Sequence, residues 1–234
     1  GTAASACGMI DDALAIARAI QNRHLEEFVR FARVETWLVI GDRARAEREL
    51  AMLGAAGGTI NESGEHRRVL AATFNGVRVI DLYVPNGESV ESDKYRYKLD
   101  WLAALTAWIR QELAAHPRLV VLGDFNIAPE ARDVHDPRQW EGRVLFSEPE
   151  RAAFRQLLAA GLCDTFRLFE QAEKSFSWWD YRMQGFRRNH GLRIDHVLAS
   201  DALCKLCESS RIDKGPRAHE RPSDHAPVMA EFNI

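Results

Sequence analysis

Six polar residues stand at or just past the ends of apolar, strand-like runs: Tyr83, Asp124, Asn126, Asp195, Asp224 and His225. A carboxylate that is buried or half-buried costs several kcal/mol unless it is paired, hydrogen-bonded or bound to a metal. Three aspartates beside apolar strands therefore need partners, and a divalent cation, a histidine and a phosphate substrate would supply them together. Tyr83 follows an apolar run and precedes Pro85, so its hydroxyl is expected to emerge at the rim of a sheet. The plain alternatives are a loop-capping role for Asp124 and a core tyrosine with a wet tip at position 83.

The elements that must position these groups are legible in the hydrophobic pattern. Val69–Phe74 and Val77–Val84 alternate as strands around the turn dipeptide Asn75-Gly76, which predicts a hairpin. From Tyr95 to Ala115, Leu99, Leu102, Leu105, Trp108 and Ile109 mark one face of a long helix. Leu119–Leu122 reads as a short buried strand, and Gly123-Asp124-Phe125-Asn126 opens the loop beyond it, at the kind of strand end where α/β proteins keep their working groups. Pro149–Ala160 reads as a helix, and Phe176–Trp179, Ile194–Leu198 and Val228–Phe232 as strands. Trp178 and Trp179, being adjacent on a strand, should face opposite sides, one inward and one towards substrate. Residues 1–66 read differently, as a mainly helical segment: Ile10, Leu14, Ala17, Leu25, Phe28 and Phe31 recur at helical spacing, and Arg43–Leu53 is a second amphipathic stretch closed by Gly54.

Composition bounds the possibilities. With 234 residues and 46% apolar content the chain can bury a full core. A formal charge of −3 gives no global basic excess, so contact with nucleic acid must come from local clusters. Arg182, Arg187, Arg188, His190 and Arg193, with Asn189 among them, form such a cluster; each alone reads as a charged surface loop, together they read as phosphate contacts. The cysteines Cys7, Cys163, Cys204 and Cys207 do not make the framework of a small secreted domain, and a reducing cytoplasm suits them. Cys204 and Cys207 have half the spacing of a zinc site without a second pair, and are expected as thiols on a short helix that starts near Ser200 or Asp201 with one of these as its cap. No run reaches the ~18 apolar residues of a membrane span, and no export signal opens the chain.

Five strings occur in a fixed order: Tyr83-Val-Pro-Asn-Gly87, Gly123-Asp-Phe-Asn-Ile-Ala-Pro129, Phe176-Ser-Trp-Trp-Asp-Tyr-Arg182, Gly191-Leu-Arg-Ile-Asp195 and Ser223-Asp-His-Ala-Pro227. In this the segment 67–234 resembles the exonuclease III family of DNA-repair nucleases, within the endonuclease/exonuclease/phosphatase superfamily. The resemblance implies an α/β fold, a two-sheet sandwich flanked by helices, here with its amino-terminal half incomplete and replaced by the helical segment. It implies a metal-dependent exodeoxyribonuclease and apurinic/apyrimidinic endonuclease that hydrolyses DNA phosphodiesters 5′ to abasic sites and at duplex 3′ ends, a cytoplasmic monomer with Mg²⁺ or Mn²⁺ as cofactor and double-stranded DNA as partner. Position by position, Asp124 resembles the general base, Asn126 its partner in orienting water and phosphate, and Asp195 with His225 the pair in which a carboxylate orients a charged imidazole towards the phosphate. Tyr83 resembles a tyrosine set against the phosphate. Asp224, with Asp124 and Asn126, is similar to the residues around the metal. Trp178 matches the wall of the pocket for a base-free sugar, with Phe186 and Leu192 beside it, and Arg182, Arg187, Arg188 and Asn189 are expected on DNA.

Two family elements are not found upstream: an early strand with Thr-Trp-Asn-like residues, and a Gln-Glu-Thr-Lys string whose glutamate binds metal. Glu35-Thr36 echoes two letters of the latter. Losing that glutamate would weaken the metal site, so a catalytically impaired DNA-binding remnant stands as one alternative and a phosphatase acting on a small phosphoester as another.

Overall fold

The computed structural model describes residues 36–37, 68–218, 220 and 222–234. The helices expected within 1–66, and Glu35, lie outside the described residues. The strands are β1 (Thr36–Trp37), β2 (Val69–Phe74), β3 (Val77–Tyr83), β4 (Leu119–Asp124), β5 (Leu162–Asp164), β6 (Asp195–Ser200), β7 (Cys207–Ile212) and β8 (Val228–Phe232). They form a five-stranded sheet in the order β2-β3-β4-β6-β5 and a three-stranded sheet in the order β1-β8-β7. The two principal helices are α1 (Asp93–Ala115) and α2 (Glu148–Leu158).

Local chemistry explains most of these boundaries. β2 and β3 pair antiparallel across Asn75 and Gly76, both at positive φ (48° and 77°), which is the backbone a two-residue hairpin turn needs and which Asn and Gly tolerate best. Ser92 caps α1 by accepting from the Tyr95 N–H at 3.0 Å. Ser147 and Glu150 form a capping box at the start of α2, with proline in its first turn.

Residues of the large sheet alternate between two cores. Ile80, Leu82, Leu119 and Val121 face α1 and α2, packing with Leu102, Leu105, Ile109, Phe154 and Leu157. Val77, Val120, Leu122, Val197 and Ala199 face the small sheet, against Val228, Ala230 and Phe232. This is the α/β architecture of two sheets flanked by helices that the motifs imply. Tyr83, Asp124 and Asp195 belong to the second set and lie at its end.

Three local expectations are corrected. Phe176–Trp179 is not a strand; within it Trp178 alone makes single bridges, to Leu192 and to His225, and no ladder extends from them. Cys204 and Cys207 do not share a helix: Cys204 ends the helical turn Asp201–Cys204 and is joined to Cys163 of β5 in a disulfide, Cα to Cα 6.5 Å, while Cys207 begins β7 as a free thiol. Ser200 precedes that turn without capping it, its hydroxyl accepting instead from the Leu119 N–H at 3.2 Å. Among the described residues no helix is long and apolar enough to cross a membrane.

Candidate active site

Strand register assembles the centre of the site. β3 runs parallel to β4 with Tyr83 opposite Asp124, and β4 runs antiparallel to β6 with Asp124 opposite Asp195. Residues directly opposite one another on neighbouring strands point to the same face. Three polar side chains therefore line up across three strands at one rim of the sheet. The close approach of β3 and β4 there depends on Gly123, at φ 132°, where an added Cβ would lie 1.9 Å from the Leu82 carbonyl oxygen.

Asp124 and Asp195 are almost fully buried. The Asn126 backbone N–H donates to Asp124 Oδ1 at 2.8 Å and its side-chain amide to Asp124 Oδ2 at 3.0 Å. Asn126 holds that reach with a positive φ of 51°, which asparagine adopts more readily than most residues. Its amide also donates to the Val84 carbonyl at 3.1 Å, and its Oδ1 accepts from Asn86 Nδ2 at 3.0 Å. His225 arrives from the loop before β8, anchored by its N–H to Ser223 Oγ, and its Nδ1 lies 2.9 and 3.0 Å from the two Asp195 oxygens.

The electrostatics of the three groups are coupled. Burial and the Asp195 charge push Asp124 up to about 7 against the pull of His225 and the Asn126 N–H. Burial works against a charged His225, but the Asp195 charge and hydrogen bond outweigh it and raise the imidazole to about 9. At neutral pH His225 is thus a cation. Burial, then the Asp124 charge, raise the Tyr83 hydroxyl and keep it a neutral donor; the Arg68 guanidinium lies over its ring at 5.0 Å.

Ligand atoms of Asp124, Asp195 and His225 all lie within 4.8 Å of one another, and with the imidazole protonated the two carboxylates are the donors of this cluster that a metal ion could take. Of the expected Asp124, Asn126 and Asp224, Asp124 belongs to this cluster. Asn126 turns both ends of its side chain to protein partners, and Asp224 Oδ2 accepts from Trp178 Nε1 at 2.9 Å. That bond also fixes Trp178, half-buried beside His225, while Trp179 is fully buried and donates from Nε1 to Asn189 Oδ1 at 3.1 Å. The two tryptophans pack in different clusters, Trp178 with Leu192 and Ile194 and Trp179 with Phe176 and Ala226.

The basic segment divides. Arg182, Arg187 and Arg188 are exposed, Arg182 in an ion pair with Asp180. Phe186 packs edge-on against Trp179 and lines a hollow of about 260 Å³ with Tyr181, Arg187 and Arg217. Asn189 is committed to Trp179 and to the Lys174 carbonyl. Leu192 is fully buried among Val134, Phe146 and Ile194, so it backs the Trp178 wall instead of facing outwards. Arg193 is not a surface cation either: it is 1% exposed and bonded to Asp133 and Asp164. Sequence reasoning overlooked Arg217, which is buried against Phe186 and donates to the Ser223 carbonyl just before Asp224. It also overlooked exposed Tyr181, which lines the hollow and lies within one of the five strings, because an exposed aromatic tip has no periodic signature.

A family model described as the endonuclease/exonuclease/phosphatase family matches residues 18–225, beginning well upstream of the first of the five strings. Exodeoxyribonuclease III of Haemophilus influenzae is 38% identical over 185 residues, 74% of this chain and 69% of that protein. The chain belongs to the exonuclease III group of this family. Among solved structures, a Neisseria 3′ phosphatase bound to product DNA hairpin superposes on this exonuclease III relative with a TM-score of 0.72 at 47% identity, covering 74% of this chain and 67% of the other. An AP endonuclease from Archaeoglobus fulgidus gives 0.71 at 34% identity, covering 76% and 70%.

Proposed function

We propose that the protein hydrolyses DNA phosphodiesters by in-line attack of water, at duplex 3′ ends and 5′ to abasic sites, and leaves a 3′-hydroxyl. The observation that carries this reading is the convergence of a carboxylate with raised proton affinity, Asp124, and a charged imidazole, His225, at one sheet rim beside the half-buried Trp178. Asp124 takes the proton of the attacking water, held for this by the two Asn126 donors. His225, oriented through Nδ1 by Asp195, presents Nε2 to the phosphate and stabilises the charge that grows on its oxygens. Tyr83 adds a neutral hydroxyl donor from the adjacent strand. Trp178 and Phe186 supply apolar wall, and Arg182, Arg187 and Arg188 the phosphate contacts that a chain of charge −3 must concentrate locally.

Mg²⁺ or Mn²⁺ fits the donor set: Asp124 and Asp195 offer buried carboxylate oxygens, and the raised proton affinity of Asp124 marks negative charge that the protein leaves under-compensated. When bound, the cation would neutralise phosphate charge and acidify water.

The measurement is incision of an abasic-site duplex and shortening of a recessed 3′ end, in Mg²⁺ and in Mn²⁺. Asp124→Asn and His225→Ala should each reduce turnover at least ~100-fold. Near-parental turnover by either purified variant would remove the assignment of roles. DNA binding by a parent chain that cuts neither substrate would leave the remnant reading in its place.

A further inference from the structure

Lys98 lies on the buried face of α1 and is fully excluded from solvent, as is Glu150 of α2. Its ammonium has three hydrogens and three acceptors: Glu150 Oε1 at 2.5 Å, the Asn126 carbonyl at 2.7 Å and the Asn86 carbonyl at 3.0 Å. Two of the three belong to the loops that follow β4 and β3, the loops that carry Asn126 and its partner Asn86. Glu150 in turn is fixed by the Leu145 N–H at Oε1 and by the Ser147 N–H and hydroxyl at Oε2. A buried lysine is costly, and a purely structural link between α1 and α2 could be made by apolar side chains of similar volume. What apolar side chains could not do is grip two loop carbonyls.

With Lys98 in place every polar atom of Asn126 is held. Its N–H and its side-chain amide bond to Asp124, its Oδ1 accepts from Asn86, and its carbonyl accepts from the one charged donor. The left-handed backbone at Asn126, φ 51°, is the feature that a loose carbonyl would release. We infer that Lys98 is a positioning residue for the proposed reaction: through the Asn126 and Asn86 carbonyls it holds the Asp124–Asn126 pair in its working geometry. This rests on the DNA-hydrolase reading above, and Lys98 itself touches no substrate.

The test compares the parent with Lys98→Met and with Lys98→Met/Glu150→Gln, in which no buried carboxylate is left without its cation. Two readouts are taken: kcat and KM for abasic-site incision, and amide hydrogen exchange at Asn126 against core amides such as Val121. The double variant should melt higher than Lys98→Met yet keep a kcat reduced about tenfold or more, with KM within about threefold, because misplacement harms the transition state more than binding. Exchange at Asn126 should accelerate about tenfold while Val121 stays protected. Recovery of kcat together with stability in the double variant would overturn the inference, since a structural pair would behave that way. Should Lys98→Met fail to fold, the double variant carries the comparison alone. If the parent cuts no DNA, the hydrolase reading fails on its own, and unchanged exchange at Asn126 would then be what overturns the role of Lys98.

Discussion

Asp124 ties reactivity to stability. Its carboxyl is raised from 3.8 to about 7 by burial and by the Asp195 charge, so the folded protein binds this proton more tightly than the unfolded chain does. A group raised in this way favours folding below its unfolded value, and that contribution is lost as pH climbs through the folded one. Between roughly pH 4 and 7 the parent should therefore lose stability that Asp124→Asn keeps. We expect the melting temperature of the variant, relative to the parent, to rise across that window by an amount equivalent to a few kcal/mol at most, given about 1.4 kcal/mol per pKa unit. A difference that is flat in pH would mean that Asp124 is not the strained acid of this site. The residues at strand ends were readable in the sequence, because an aspartate that closes an apolar run must find a partner for its charge, and a site at the sheet rim supplies one. Lys98 was readable too, though it passed unnoticed: with Leu102, Leu105 and Ile109 it falls on the apolar stripe of α1, where a charge demands a buried partner. Arg193 and Leu192 were misplaced for the converse reason. Their neighbours Arg187 and Arg188 are exposed, and nothing local announces Asp133 and Asp164, which lie far away in the chain and take Arg193 into the interior.

At the scale of elements, the hairpin and β4 follow from short-range chemistry, and the site follows from their register. Asn75-Gly76 fixes which residues of β2 and β3 pair, and β3 and β4 then place Tyr83 against Asp124. Phe176–Trp179 failed as a strand because Trp178 is the one residue of the run that bridges, to Leu192 and to His225, and periodicity cannot count partners. The disulfide between β5 and the turn after β6 was equally invisible, since its cysteines are 41 residues apart and only the β5–β6 pairing brings them together. Gly123 is where element geometry meets chemistry. Gly123→Ala puts a methyl carbon 1.9 Å from the Leu82 carbonyl oxygen at a φ of 132°, and backbone, unlike a side chain, cannot swing aside. The expected loss is about 3 kcal/mol or more in urea unfolding, with activity falling further than the folded fraction accounts for, because the shift separates Tyr83 from Asp124. A variant as stable as the parent would show that β3 and β4 can part at no cost.

At the scale of the whole molecule, charge sets how DNA can be held. A net charge of −3 gives no attractive long-range field, so affinity must come from a small number of cations at the rim and should be sensitive to each. Arg182 already directs most of its charge at Asp180, an exposed pair of small worth on its own. Arg187 and Arg188 sit at the end of a single helical turn, exposed, next to the hollow lined by Phe186 and Arg217 and on the same connection that supplies Trp178. Each phosphate neutralised by such a cation releases counterions and adds about 0.9 to the slope of log affinity against log salt. Arg187→Ala with Arg188→Ala should therefore weaken binding to an abasic-site duplex and flatten that slope by roughly one to two, one increment per lost contact. Arg182→Ala should change it by less than either. The measurement is a salt titration of duplex binding by anisotropy under conditions that block cleavage. A slope that survives the double substitution would place this segment outside the interface and move the search for phosphate contacts to other cations of the chain.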